Sequence, residues 1–234
     1  MSVDPRHHLT RAAFVALLQR SERIWEAPLG RDLLRYAPGG TTKVNLVFDW
    51  RQVQENRVEA ADAAIERARA ELASLKAELR RRSAPLDARK RRYAAKVAYW
   101  NGQGGAPAGV GDILRAEQTA INALVKEFNT LTHDYNALVA RFNRNVVARN
   151  ALAQPRTTDD EVLGKAEVGG GAVWIYVLTG TVKDDALIAH EFGHILGIGH
   201  LPGPDDVMNA KRMKTLTRAS AADLAALRVA CAAG

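Results

Sequence analysis

The chain has 234 residues, enough for one or two domains, and its hydrophobic share of 47% is ample for a core. No apolar run approaches the ~20 residues that cross a bilayer, so no transmembrane segment is expected. The net charge of +7 suits acidic partners, and the single cysteine, Cys231, excludes an internal disulfide. Residues 1–10 contain no apolar stretch typical of an export signal. The pair His7 and His8 within them is predicted to be a solvated tail.

Residues 10–50 predict one helix and one strand. Thr10 is suited to cap a helix over 10–26, because apolar residues recur there near a period of 3.6. Pro28 and Gly30 end that helix, and residues 44–48 follow a proline–glycine turn with the composition of a strand. No earlier strand is evident, so the sequence predicts either a reduced sheet or a chain that starts late.

Residues 51–152 differ in kind, because they carry two heptad seams around a glycine-rich turn at 101–111. Two long helices joined by a short loop must run antiparallel, which predicts a coiled-coil hairpin. Pro85 should kink or break the first helix, and Asp112 is suited to cap the second. The seam positions are Val58, Ala61, Ile65, Ala68, Leu72, Leu75 and Leu79, then Ile121, Leu124, Phe128, Leu131, Tyr135, Leu138 and Phe142.

The hairpin segment is basic, with 18 Lys and Arg against 11 Asp and Glu over residues 51–150. Two basic runs, 80–82 and 89–92, flank Pro85. One interpretation is a patch for nucleic acid, an anionic lipid surface or an acidic protein. The favoured interpretation is a solvated helix surface, since charge runs are common on long helices.

The most informative stretch is 187–209, which holds three histidines and a glutamate at regular spacing. His190 and His194 are four residues apart, so a helix places both imidazoles on one face, about one turn apart. Gly197 can end that helix in a left-handed conformation, after which the chain turns back to His200. Three histidines with an open fourth position describe a catalytic zinc site, whereas a structural site is closed by a fourth protein ligand.

This stretch resembles the metzincin clan of zinc metalloproteases, and it is matrixin-like. The pattern H-E-x-x-H-x-x-G-x-x-H is complete, and Met208 fits the downstream Met-turn. The resemblance implies one catalytic Zn2+ held by His190, His194 and His200. It also implies that Glu191 is the general base and that Met208 is a hydrophobic floor beneath the metal.

The resemblance extends to the flanking segments. Residues 161–168 and 172–178 read as strands on either side of three glycines, and a last helix capped by Thr217 or Ser220 follows the Met-turn. In metzincins the edge strand before the zinc helix binds substrate as an added strand. By position, the resemblance assigns that role to Val162, Leu163, Gly164, Lys165 and Ala166.

The expected fold class is therefore α+β. A reduced metzincin-like catalytic domain, with a small mixed sheet, a zinc helix and a C-terminal helix, spans 1–50 and 153–234. A long antiparallel helical hairpin, 51–152, is inserted into it.

The expected function is zinc-dependent hydrolysis of peptide bonds, with a protein or peptide substrate and a protein partner for the hairpin. The alternative is a coiled-coil interaction protein whose metal site is structural or vestigial. Localisation stays open, because no export signal is visible while the resemblance favours a secreted or cell-envelope protein.

Overall fold

The computed structural model describes residues 1–153, 163–210 and 215–232. Helices and short strands follow one another along the chain, and the α+β class expected from the sequence is confirmed. The helices are α1 (Arg11–Glu26), α2 (Trp50–Gly102), α3 (Ala108–Leu152), α4 (Val182–Ile195) and α5 (Ala221–Ala232). The strands are β1 (Ser2–Val3), β2 (Lys43–Leu46), β3 (Gly164–Ala166) and β4 (Ala172–Ile175).

The four strands form one small mixed sheet in the order β1-β2-β4-β3. β1 and β2 are parallel, as are β2 and β4, whereas β3 runs antiparallel to β4. The register pairs Leu46 with Ile175 and Lys165 with Trp174. β3 is an edge strand of the described sheet, and its outer backbone groups are therefore placed to pair with an added chain.

The N-terminus contains an unpredicted strand, and the prediction of a solvated pair is wrong for His7, which is half-buried beside the ring of Phe48, whereas His8 is exposed. Ser2–Val3 pairs with β2, the backbone N–H of Asp4 donates to the Leu46 carbonyl, and Pro5–His7 forms a 3-10 turn. The side chain of Asp4 caps this turn by accepting the Arg6 N–H. A strand of two residues is too short to show any periodicity, which explains why the sequence did not reveal it.

The core lies between the sheet, α1 and α4. Apolar side chains recur along α1 at the spacing that faces one side of a helix, and they pack against the buried face of α4. Trp25 is fully buried, and its Nε1–H donates to the carbonyl of Ala189 at 2.7 Å. This bond ties the end of α1 to the middle of α4, immediately before the histidines.

The chain divides into two compact units, residues 1–57 with 154–234, and residues 58–153. The first turns of α2 belong to the first unit. There the side-chain amide of Gln52 accepts the Leu178 N–H at 2.7 Å and donates to the Leu178 carbonyl at 3.0 Å. Gln52 is itself buried, and its side chain satisfies both backbone hydrogen-bonding groups of Leu178, which has no partner strand among the described residues.

The second unit is an antiparallel helical hairpin. Ion pairs join Asp62 to Arg149, Glu71 to Arg141 and Lys96 to Glu117, so residue numbers rise along α2 as they fall along α3. All predicted seam residues are buried or half-buried, and Ile65, Ala68, Ile121 and Leu138 are the most enclosed. The predicted heptad seams are therefore confirmed.

Two details of the hairpin differ from the prediction. The α2 helix continues through Pro85, because the loss of one backbone N–H is outweighed by packing on both sides, with Leu86 buried against the other helix. Asp112 does not cap α3, since the helix begins at Ala108 after Pro107 and Asp112 instead pairs with Arg115. Among the described residues, no helix combines the length and the hydropathy that a bilayer span requires.

Candidate metal centre

Helix α4 carries the first two histidines and ends where the sequence predicts. Thr181 caps its N-terminus by accepting the Lys183 N–H, and two acidic residues occupy the first turn. At the other end, Gly197 has a φ of +83°, and its N–H donates to the His194 carbonyl. This left-handed residue stops the helix and sends the chain back toward His200.

The three predicted histidines come together in space. The nearest ligand atoms of His190, His194 and His200 all lie within 4.8 Å of one another, and the group is placed to bind a metal ion. The His194 ring centroid lies 4.9 Å from that of each of the other two histidines, while the His190 and His200 centroids are 5.2 Å apart. Burial falls across the group from His190 through His194 to His200, so the site opens to solvent on the His200 side.

Backbone carbonyls orient two of these rings. Nδ1 of His190 lies 2.7 Å from the Val207 oxygen, and Nδ1 of His194 lies 2.9 Å from the Ile198 oxygen. A carbonyl can only accept, so each Nδ1 must carry the proton and each Nε2 keeps its lone pair for a metal. Burial lowers the pKa of His190 to about 4, and burial also lowers the pKa of His194. Both rings are therefore neutral at pH 7, as metal ligation requires.

Glu191 lies beside the histidines and is only 4% exposed. Burial raises the pKa of its carboxyl group to about 7. The backbone of Gly164, on the edge strand β3, approaches it so closely that a Cβ at that position would lie 2.6 Å from Glu191 Oε1. The edge strand and the buried carboxylate are therefore neighbours, and a side chain at position 164 would displace the Glu191 carboxylate from its place.

Met208 is fully buried and packs under the helix turn that separates His190 from His194. A Cβ on Gly193 would lie 3.1 Å from Met208 Cε and closer still to its sulfur. The backbone N–H of Leu201 donates to the Met208 carbonyl at 2.9 Å, so the segment after His200 is bonded to the same methionine. Met208 thus packs against the helix turn that carries the first two histidines.

Asp223 in α5 holds this methionine segment in place. Its carboxylate is fully buried and accepts the N–H groups of Val207 at 2.8 Å, Met208 at 3.1 Å and Ser220 at 2.9 Å. The Ser220 hydroxyl accepts the Asp223 N–H in return, which completes a reciprocal cap for α5. The Met208 N–H that Asp223 accepts and the Val207 carbonyl that orients His190 belong to the same peptide unit. Asp223 therefore fixes the group that orients this histidine.

The sequence-predicted edge-strand residues are only partly within β3. Gly164, Lys165 and Ala166 form the strand, Leu163 precedes it and accepts the Tyr176 N–H, and Val162 lies outside the described residues. The sequence predicted Gly164 as an edge-strand residue but not its close approach to Glu191, and it did not predict the role of Asp223. The only signal for Asp223 was its position three residues after Ser220, which is typical of a helix cap.

A separate cavity of about 190 Å³ lies away from the histidines. Phe192 and Ile195 of α4 line it from the helix side that faces away from His190 and His194, and Leu18 and Glu22 of α1 line it as well. Burial, followed by the nearby carboxylates of Glu26 and Asp32, raises the pKa of Glu22 to about 7.

Comparisons with protein-family models, with curated proteins and with solved structures each find no match to this chain. The fold and the site define an α+β protein with a helical hairpin and a group of three histidines that is placed to bind a metal ion. Any closer assignment rests on the motif and on the chemistry of this group.

Proposed function

We propose that this chain is a zinc-dependent endopeptidase of the metzincin type. The observation that carries the proposal is the buried carboxylate of Glu191 beside three histidines that are placed for one metal ion. A structural metal site gains nothing from such a carboxylate, because burying an ionisable group without a partner is costly. A hydrolytic site uses it, since a base must take a proton from the attacking water.

The donor set supports zinc as the resident metal. His190 and His194 present neutral Nε2 atoms, and their Nδ1–H groups are held by carbonyls in the arrangement that is usual for metal-bound histidine. Imidazole nitrogens suit zinc, and three protein ligands with one open position are typical of catalytic zinc. When bound, zinc would polarise a water molecule and the scissile carbonyl and would balance the charge that develops on the carbonyl oxygen.

The proton steps fall to Glu191. Its carboxylate accepts a proton from water as the water oxygen forms a bond to the peptide carbon, and it returns that proton to the amide nitrogen as the C–N bond breaks. A cation held at the three histidines favours the ionised carboxylate, which opposes the rise in pKa caused by burial. The close approach of Gly164 restricts the positions that the carboxylate can occupy.

The substrate that suits this arrangement is an extended polypeptide. β3 is an edge strand, so its outer backbone groups can hydrogen-bond to an added strand, and Gly164 places that strand next to Glu191. A peptide bound in this way runs past the carboxylate along the edge. Backbone pairing carries no sequence preference, so selectivity for particular substrate residues must come from side-chain contacts.

Two variants test the proposal. His200→Ala should sharply lower zinc content at low free metal, because one of three ligands is lost, and metal analysis measures this directly. Glu191→Ala should keep zinc and fold yet lose ~10²–10⁴-fold in the rate of peptide-library cleavage. If Glu191→Ala cleaves peptides at the wild-type rate, Glu191 is not the general base.

The alternative is a coiled-coil interaction protein with a structural or vestigial metal site, which the length of α2 and α3 favours. It predicts that the zinc-loaded wild type cleaves no member of a broad peptide library. It also predicts that removing zinc changes only the free energy of unfolding, because such a protein has no peptidase activity.

A further inference from the structure

Between the two helices of the hairpin lies a cavity that the proposed peptidase chemistry does not use. Its volume is about 420 Å³, which falls within the range of ligand sites. Both helices line it, and we call it the arginine groove. Its lining residues are Arg81, Arg82, Pro85, Leu86, Arg89 and Arg92 from α2, and Leu124, Glu127 and Phe128 from α3.

The arginine groove has an apolar floor. Leu86 is buried at 7% exposure, and Leu124 and Phe128 are half-buried members of the predicted seam. Along α2 the lining residues recur at intervals of three or four, so they form one continuous face over about three turns. A floor of this kind accepts apolar side chains that project at helical spacing from a partner.

The rim of the groove is positively charged, and half of its arginines are unpaired among the described residues. Arg81 and Arg82 both pair with Glu78, and Arg82 also lies 3.4 Å from Glu127. Within the described part of the chain, the guanidinium groups of Arg89 and Arg92 have no ion-pair partner. Arg89 and Arg92 are therefore open to a carboxylate, which arginine binds with two parallel hydrogen bonds.

We propose that the arginine groove docks an acidic amphipathic helix of a partner protein. Apolar residues on one side of that helix would fill the floor at Leu124 and Phe128, and acidic residues beside them would pair with Arg89 and Arg92. Single-stranded nucleic acid fits less well, because it binds on exposed aromatic faces, whereas Phe128 is half-buried at the bottom of the groove. Glu127 on the rim also disfavours a uniformly anionic polymer or surface.

A fluorescein-labelled synthetic peptide tests this proposal by anisotropy on the full chain. The peptide is a helix of about four turns with Leu and Phe on one face and Glu on the other, and a scrambled peptide of the same composition is its control. All proteins carry Glu191→Ala, so that no peptidase activity can consume the probe. The test does not depend on zinc chemistry, so its failure and that of the proposed function are separable.

The decisive comparison is between two double variants of equal charge. R89Q/R92Q removes the unpaired arginines of the groove, and R67Q/R144Q removes two exposed arginines of the hairpin outside it. We expect R89Q/R92Q to weaken peptide binding about tenfold, since each lost charge-assisted contact accounts for a few-fold change. R67Q/R144Q should bind within about twofold of the parent, and the scrambled peptide should bind at least about tenfold more weakly.

The floor is tested by L124A/F128A, which should also weaken binding. If circular dichroism shows that this variant has lost helix, a spin-labelled peptide on the parent protein replaces it, with broadening of the Leu86 and Leu124 methyl signals expected. Equal losses in the two arginine variants would overturn the proposal, as would equal binding of the scrambled peptide. Tighter binding of an oligonucleotide, or of vesicles containing phosphatidylserine, than of the peptide would overturn it too.

Discussion

Replacing Gly193 by alanine tests how the methionine segment supports the metal centre. The glycine lies in α4 between the two helical histidines, and its φ is not in the left-handed region, so alanine is compatible with the backbone. The added Cβ would lie closest to the Met208 sulfur, 2.8 Å from Trp25 Cζ2 and 3.1 Å from Met208 Cε. Both neighbours are fully buried, so neither side chain has free space into which it can move.

Two effects decide the magnitude. Overpacking a well-filled core typically costs ~1–3 kcal/mol, and contacts with two enclosed side chains place Gly193→Ala at the upper end. The greater helix propensity of alanine returns ~1 kcal/mol. We therefore expect a net loss of ~2 kcal/mol in the free energy of unfolding, together with weaker metal binding, because Met208 supports the turn that carries both ligands.

Urea denaturation and zinc titration of the purified variant measure both effects. Gly199→Ala is the matched control, since a Cβ there meets nothing within 4 Å although the residue is next to His200. The control should change stability by less than ~0.5 kcal/mol. If Gly193→Ala is as stable and binds zinc as tightly as the control, the packing of Met208 against α4 does not support the site.

Four further expectations follow from the contacts of the two units. Gly164→Ala should lower peptide cleavage at least ~10²-fold at unchanged zinc content, because its Cβ displaces the Glu191 carboxylate, and a parallel assay of zinc content and cleavage rate checks this. Asp223→Asn replaces a carboxylate that accepts three backbone N–H groups by an amide. Urea denaturation should show that the free energy of unfolding falls by ~2–4 kcal/mol. The pKa of Glu22 is 4.5 when the side chain is free and about 7 in the folded protein, so between these values only the folded state keeps the proton. The free energy of unfolding should therefore fall as the pH rises from about 4.5 to about 7. Glu22→Gln should remove this fall and be more stable than wild type at pH 8 by ~1 kcal/mol after solvent screening. Replacing residues 61–148 by a Gly-Ser linker should keep zinc binding and cleavage of small peptides while weakening action on the natural target; a folded, zinc-loaded but inactive product would contradict this.

The helical hairpin and the pair His190 and His194 were accessible from sequence because their spacing matches the period of a helix. Heptad spacing identifies the seam, and the four-residue step from His190 to His194 fixes their shared face. Gly197 ends the helix because a left-handed residue is needed there, and glycine is the residue that adopts that conformation at least cost. Local periodicity and local conformational demand are properties that one sequence carries by itself.

The remaining features depend on contacts between distant segments. β1 has two residues, and it is a strand only because β2 offers it a partner. Pro85 is a poor helix residue, yet packing of α2 against α3 keeps the helix continuous. In the sequence Asp223 looks like an ordinary cap residue and Gly164 like one residue of an edge strand. Their importance follows from Val207 and Glu191, which adjoin them only in the folded chain.

The pairing of β2 with β4 has a consequence for the order of folding. Lys43 pairs with Ala172 across a very long stretch of chain, and closing so long a flexible loop is entropically unfavourable. The hairpin makes mostly local contacts near its turn, so it can form early and bring its two ends together. The loop that must then be closed is about fivefold shorter, which lowers the entropic cost of closure by ~1.4 kcal/mol. Early formation of the hairpin therefore makes the central pair of the sheet easier to close, and slowing that step should slow assembly of the histidine group with it.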